Sequence, residues 1–240
     1  MEQQRLDKII ASTGKWSRRE AKELARRGLV TVDGAAVRSV EEKFDPEAAE
    51  ISVNGEALRY RRYTWIMLNK PAGYLSATED GRGETVLDLL PRELQRKNLF
   101  PVGRLDKDTE GLLLLTDEGP LAHALLSPKH HVDKVYYVRT AGRLTEEDCQ
   151  AFAAGLSLMS GLQCRPARLE ILSAGEESEA YVTLQEGKFH QVKRMLAARG
   201  KPVVYLERVR MGNLPLDRGL SRGFFRFLTE EEIAELHALV

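Results

Sequence analysis

Apolar positions at helical spacing open the chain. Leu6, Ile9 and Ile10 recur three and four residues apart, which predicts a short amphipathic helix ending near Gly14. Ser17 followed three residues later by Glu20 is a capping box. It opens a second helix that buries Ala21, Leu24 and Ala25 and stops at Gly28. The period then shortens. Leu29 to Val32 and Ala35 to Val37 flank Asp33-Gly34, and Ile51 to Val53 and Glu56 to Leu58 flank Asn54-Gly55. Both are hairpin signals.

Past Arg59-Tyr60-Arg61-Arg62-Tyr63, a basic linker, Trp65-Ile66-Met67-Leu68 reads as a strand that ends in the turn Asn69-Lys70-Pro71-Ala72-Gly73. Four leucines, Leu112 to Leu115, lie between Gly111 and Thr116-Asp117-Glu118-Gly119 and predict a short buried strand. Val135 to Val138 and Ala180 to Leu184 are β-rich. Helices are expected at Leu121 to Leu126 behind Pro120, and at Thr145 to Phe152, where acids favour the helix start. A third covers His190 to Ala198 and is closed by Gly200. The class is α+β. Residues 1–58 form a small amino-terminal domain, 59–63 a linker and 64–240 a larger domain.

Composition narrows the function classes. The chain has 240 residues, 42% hydrophobic and 30% charged, enough to bury a core. No apolar run approaches the ~18 residues of a membrane helix. The start, Met1 to Arg5, lacks the apolar stretch of a secretory signal. Cys149 and Cys164 suggest neither a disulfide framework nor a zinc site, and no metal site is expected. Cytoplasm is the simplest compartment.

A formal net charge of zero argues against a polyanionic partner until the charges are mapped. Arg5, Lys8, Lys15, Arg18, Arg19, Lys22, Arg26 and Arg27 crowd the first helices. Lys188, Lys193, Arg194, Arg199, Lys201, Arg208 and Arg210 face a single acid, Glu207, in the later segment. Two such islands predict two polyanion-facing surfaces, although either alone would read as a solvated face.

The densest chemistry lies in Gly103-Arg104-Leu105-Asp106-Lys107-Asp108-Thr109-Glu110-Gly111, just before the leucine strand. These carboxylates sit at the mouth of a core strand, where rigid backbone can hold one of them at a cleft. An unpaired buried carboxylate is costly, so a basic partner is expected elsewhere in the chain.

Three motifs in order carry a resemblance: Asn69-Lys70-Pro71-Ala72-Gly73; Gly103-Arg104-Leu105-Asp106 with Thr109 and Gly111-Leu112; and Glu186-Gly187-Lys188-Phe189-His190-Gln191-Val192-Lys193-Arg194-Met195. With them the chain resembles the pseudouridine synthases, and within these the small-subunit ribosomal RNA group, the RsuA family. Residues 1–58 resemble the αL-type RNA-binding domain found also in a small-subunit ribosomal protein and a tyrosyl-tRNA synthetase. The resemblance implies a mixed, mainly antiparallel sheet with flanking helices. It also implies isomerisation of one uridine in 16S-type RNA, no cofactor, and ribosomal RNA or an assembly intermediate as partner. A monomer off the membrane is expected.

The resemblance implies the roles as well. Asp106 is the nucleophile or base, ahead of Asp108 and Asp117. Tyr136 stacks on uracil, while Tyr137 points to the opposite side of the strand. Lys193 pairs with Asp106 and holds it ionised. Arg104 enters the gap left by the flipped nucleotide. Lys188, His190, Gln191 and Arg194 bind substrate, with Lys188 and Arg194 as phosphate contacts. In the amino-terminal module Arg5, Lys8, Lys15, Arg18, Arg19, Lys22 and Arg26 bind RNA. His130-His131 takes an RNA-facing or structural role.

Plainer readings stay open from the residues alone. Asp106 could cap a turn, Arg104 could pair with Asp106 or Asp108, Tyr136 could be core, and Lys193 could lie exposed on its helix. The rival functions are a large-subunit synthase of the same family, a noncatalytic RNA-binding assembly protein, and a glycoside hydrolase with paired carboxylates. Two stretches carry no motif, Thr78 to Pro91 and Ala174 to Ala180, and are expected to be loops that set substrate choice.

Overall fold

The computed structural model describes residues 3–58, 60, 62–81, 83–95, 97–158 and 161–240. Arg59 and Arg61 of the expected linker lie outside the described residues. The chain divides into two compact units, one of Met1–Thr64 with Leu90–Leu99, the other of Trp65–Leu89 with Phe100–Val240. The division therefore falls after Thr64, and Leu90–Leu99 clusters with the first unit although the sequence places it in the larger domain.

The first unit begins with β1 (Gln4–Arg5), α1 (Leu6–Ser12) and α2 (Arg18–Arg26). Ser17 caps α2 as expected: its backbone N–H donates to Glu20 Oε2 at 2.6 Å, and the Glu20 N–H returns to Ser17 Oγ at 3.2 Å. The strands β2 (Val30–Val32), β3 (Ala35–Ala36), β4 (Lys43–Phe44), β5 (Ile51–Val53) and β6 (Glu56–Ala57) follow. A four-stranded sheet runs in the order β3-β2-β5-β6, and β1 pairs with β4. At both hairpins the two turn residues are left-handed: Asp33 and Gly34 have φ 50° and 77°, Asn54 and Gly55 have φ 55° and 79°. That is why Asx-Gly stands there. Leu6, Ile9, Ile10, Ala21, Ala25, Val30, Val32, Ile51 and Val53 make one core, and Tyr60 of the expected linker packs against it. The short helix α3 (Arg92–Gln95) belongs to this unit. Gly14 meets it so closely that a Cβ would lie 1.9 Å from the Glu93 carbonyl oxygen.

The second unit contains β7 (Trp65–Lys70), β8 (Phe100–Pro101), β9 (Glu110–Thr116), α4 (Gly119–Leu126), β10 (Lys134–Ala141) and α5 (Glu146–Ala154). It continues through β11 (Arg168–Ser173), β12 (Glu177–Leu184), α6 (Gln191–Ala198), β13 (Val203–Met211), β14 (Leu214–Pro215), β15 (Phe225–Phe227) and α7 (Glu230–His237). The main sheet runs β11-β12-β10-β13-β9-β7-β15, with β14 beside β13 and β8 beside β9. Among the described residues every strand pairing of this sheet is antiparallel except β13 with β9, where Glu207 faces Glu110 and Arg208 faces Gly111. This is an α+β fold.

In the middle of the sheet β7 is buried along its whole length, and β9 from Gly111 to Thr116. Strands covered on both faces lose the alternating pattern, which is why both read as continuous apolar runs. β10 and β12 keep the alternation. Lys134, Tyr136, Val138 and Thr140 are buried on one face, opposite Leu184, Val182, Ala180 and Ser178 of β12.

Two expectations need correction. Ala174 to Ala180 is mostly not a loop, because β12 begins at Glu177 and pairs with both β10 and β11. The second basic island is not one surface. A register shift of β13 against β10, between the pairs Tyr136–Arg208 and Val135–Arg210, separates the two arginines: Arg208 is buried and gives its Nε–H to the Leu112 carbonyl at 2.8 Å, while Arg210 is exposed. Arg199 is spent on buried Asp148 at 2.8 Å, and Lys188 lies 3.0 Å from Glu186.

Candidate active site

Asp106 lies in the segment between β8 and β9, and its backbone is held from several sides. Ser76 Oγ donates to the Leu105 carbonyl at 3.0 Å and accepts the Leu105 N–H at 3.1 Å. The Thr109 N–H closes a turn on the Asp106 carbonyl at 3.1 Å. Lys70, the last residue of β7 and fully buried, gives Nζ–H bonds to the carbonyls of Pro71, Lys107 and Thr109 at 3.0, 3.2 and 2.9 Å. One ammonium thus fastens the turn that presents the carboxylate. Burial lowers the Lys70 pKa to about 8, against the nearby charges of Glu110, Asp108 and Asp106.

The second wall is the loop Glu186–His190 and helix α6. Gln191 is buried, and both ends of its amide are taken. Its Nε2–H reaches Glu186 Oε1 at 2.6 Å, and its Oε1 accepts the Lys188 N–H at 3.0 Å. Gln191 therefore shapes the loop, and it also lines the smaller hollow beside Asp106. His190 caps α6 in the left-handed region at φ 51°, a conformation that non-glycine residues adopt rarely.

These two walls meet at an ion-pair cluster. Lys193 Nζ is 3.1 Å from Asp106 Oδ2 and 2.5 Å from Asp108 Oδ1, and His190 Nε2 is 3.5 Å from Asp106 Oδ1. Asp106 and Lys193 are each about a quarter exposed, whereas the Asp108 side chain is largely in solvent. The hydrogen bond from Lys193 holds the Asp108 carboxyl below the usual carboxylate range. Burial alone would depress Lys193, but its bonds to the two carboxylates raise its pKa overall. A lysine shared between two acids was not foreseen from the sequence.

Tyr136 opens onto the same space. Arg104, Asp106, Tyr136, Lys188 and His190 line two hollows, one of about 70 Å³ and one of about 690 Å³. Tyr137 points the other way, edge-on to Tyr181 and Tyr205 at 6.1 and 6.0 Å. Lys134 lies beneath the larger hollow, two residues before Tyr136. Burial lowers its pKa to about 8, and its Nζ–H donates to the Val132 carbonyl at 3.1 Å. Arg104 is exposed and forms no ion pair with Asp106 or Asp108. Asp117 lies at the far end of β9 and lines neither hollow. Arg194, on α6, reaches the Phe189 carbonyl at 3.5 Å. His131 is left-handed and shares a hydrogen bond with Gln185 at 3.2 Å, while His130 is exposed.

In the first unit, Lys8, Arg18, Arg19, Lys22 and Arg26 are exposed. Arg5 is drawn to Asp7 at 3.1 Å and Glu41 at 3.8 Å, and Lys15 pairs with Glu56. Those two cations are already partly neutralised. Among the described residues, no group of three or more His, Cys, Asp or Glu side chains is placed to hold a metal ion, and no helix is long and apolar enough to cross a membrane.

A carboxylate, a shared ammonium and an aromatic face beside one hollow suit covalent or acid–base work on a planar ring. Comparison with known proteins supplies the class. Residues 64–198 match the model of the RNA pseudouridylate synthase family, and residues 4–49 match that of the S4 domain. The chain is 47% identical over 230 residues to "Uncharacterized RNA pseudouridine synthase YtzG" of Bacillus subtilis, covering 95% of this chain and 96% of that one. It is 41% identical over 234 residues to "Ribosomal small subunit pseudouridine synthase A" of Escherichia coli, covering 97% and 99%. A crystal structure described as a pseudouridylate synthase is 38% identical, covers 97% of this chain and 99% of its own, and superposes with a TM-score of 0.68. The chain belongs to the RNA pseudouridylate synthase family, and it carries an S4 domain at its amino end.

Proposed function

We propose that the protein converts one uridine of small-subunit ribosomal RNA to pseudouridine, with residues 1–58 docking the RNA and residues 64–240 performing the isomerisation. The observation that carries this reading is the Lys193–Asp106 pair at 3.1 Å, opening onto the hollow that Tyr136 lines. The name of the Escherichia coli relative supports the choice of RNA.

The reaction detaches uracil from ribose, turns it and rejoins it through carbon 5. Electrons and atoms balance without an added reagent. Asp106 serves as nucleophile or base, and Lys193, 3.1 Å away, holds its carboxylate in place. Tyr136 lies against the uracil, and Arg104 fills the vacated place in the stack, offsetting part of the few kcal/mol that flipping costs. Lys188 and Arg194 meet phosphates, and the exposed cations of α2 hold the RNA at a distance from the chemistry. The acting unit is a monomer, and the setting is the cytoplasm.

Tritium release from RNA labelled at carbon 5 of uridine tests the proposal, with 16S and 23S transcripts as separate arms. Release from 16S alone, abolished in Asp106→Asn with RNA binding retained, is the expected result. Release that persists in Asp106→Asn would move the chemistry to another residue, and release from 23S alone would move the substrate to the large subunit.

A further inference from the structure

Among the described residues of the second unit Phe189 is the most exposed large apolar side chain, at 71%, and it stands in the loop that walls the cleft. An aromatic ring left in water beside a cleft costs free energy, so its position calls for a partner. The ring is not loosely placed. Its backbone lies between Lys188, whose N–H is held by Gln191, and His190, the left-handed cap of α6. Its carbonyl accepts from Arg194.

One face of the ring is already used. Phe189 and His190 stack with centroids 3.8 Å apart and planes within 19°. The imidazole in turn lies 3.5 Å from Asp106. The two rings form a short column that starts at the carboxylate and ends on an open aromatic face. Their separation approaches the roughly 3.4 Å spacing of bases along a nucleic-acid strand. Arg104 and Lys107, both exposed, line the same hollow and suit the phosphates on either side of a base.

We propose that the outer face of Phe189 is a stacking platform for an unpaired base neighbouring the uridine that enters the cleft. This makes Phe189 a substrate-binding residue for the reaction proposed above, on which the inference rests. A neighbouring base stacked there extends the column by one layer and fixes the RNA strand relative to Asp106. Such a platform reads position rather than sequence, since every base has a π-face.

The test uses the full chain, a 16S transcript, and the variants Phe189→Ala, Phe189→Leu and Phe189→Trp, with KM and kcat from tritium release and Kd from filter binding. Stacking predicts that Phe189→Ala raises KM and Kd roughly 5- to 100-fold while kcat stays within about twofold. Tryptophan restores both constants, and leucine, equally apolar but not aromatic, does not. Unchanged Kd in Phe189→Ala overturns the proposal, and so does rescue by leucine equal to that by tryptophan, which would mean plain apolar packing. Filter binding needs no turnover, so a wild type that binds through Phe189 but releases no tritium would sink the isomerase reading and leave the platform standing.

Discussion

Lys193 Nζ is closer to Asp108, at 2.5 Å, than to the acid that the family resemblance makes catalytic. Asp108 is the more exposed of the two and holds the lysine from the solvent side. Replacing Asp108 by Asn should leave most tritium release intact, because Lys193 then serves Asp106 alone. The same change at Asp106 should remove release altogether. Single-turnover assays of both variants decide which carboxylate does the chemistry, and equal losses would assign it to the pair.

The shifts at this cluster fix a pH window. Asp108 is depressed in the folded state, so its contribution to stability is present above the ordinary carboxylate pKa and is lost as pH falls through the folded value. Lys193 is raised, so its contribution is full below the ordinary lysine pKa and is lost as pH rises through the folded value. Between roughly pH 4 and pH 10 the Lys193–Asp108 pair is charged on both sides. Denaturant titrations of wild type and Lys193→Met should differ most across that plateau and converge at both extremes.

Gly111 sits at φ 93° where β9 meets β13, and a Cβ there would lie 2.4 Å from the Arg208 carbonyl oxygen. The chain passes too close for any side chain, and the sheet's one parallel pairing depends on that closeness. Gly111→Ala combines left-handed strain with a backbone clash and should cost roughly 2–4 kcal/mol. A urea midpoint unchanged from wild type would show that the strands part without penalty.

Lys70→Met should keep the bulk of the β7 terminus but remove the ammonium from three carbonyls, of which Lys107 keeps the Gly73 N–H at 2.8 Å. The buried Lys70–Thr109 bond matters most, since a buried acceptor left without a donor costs about 1–3 kcal/mol. Lower thermal stability is expected, along with a fall in kcat larger than any change in KM, because the turn carrying Asp106 loses its fastening. Full kcat in a stably folded variant would make Lys70 dispensable to the site.

Reversing Arg18, Arg19 and Lys22 to Glu should weaken binding of the 16S transcript and flatten its dependence on salt, since fewer counterions are released. All three are exposed on α2, so the fold should be preserved. Binding that keeps its salt slope would show that this helix does not face RNA.

Much of this architecture is written in short-range chemistry. Asp33-Gly34 and Asn54-Gly55 announce their turns because few other pairs tolerate two left-handed residues, and Ser17 with Glu20 announces a helix start. The approach of Asp106 to Lys193 is legible only through motif order, since nothing local in either segment points to the other. Lys70 is hidden because a lysine at the end of an apolar strand reads as solvent-facing. Its burial makes sense only when Lys107 and Thr109 bring their carbonyls to it. The island from Lys188 to Arg210 misleads for a related reason: a linear count of charge ignores that β13 turns Arg208 inward. Leu90–Leu99 gives no local sign that it clusters with the first unit, because that association rests on close approaches such as Gly14 to Glu93.

β9 and β13, the parallel neighbours, are far apart along the polypeptide, and the segments carrying Asp106 and Lys193 lead into them. A nascent chain emerging from its ribosome therefore holds the acid long before it holds the base. The pair cannot form until the last third has been synthesised and β13 has inserted between β9 and β10. Truncation anywhere before α6 leaves Asp106 without Lys193 and removes the helix that forms the second wall of the cleft.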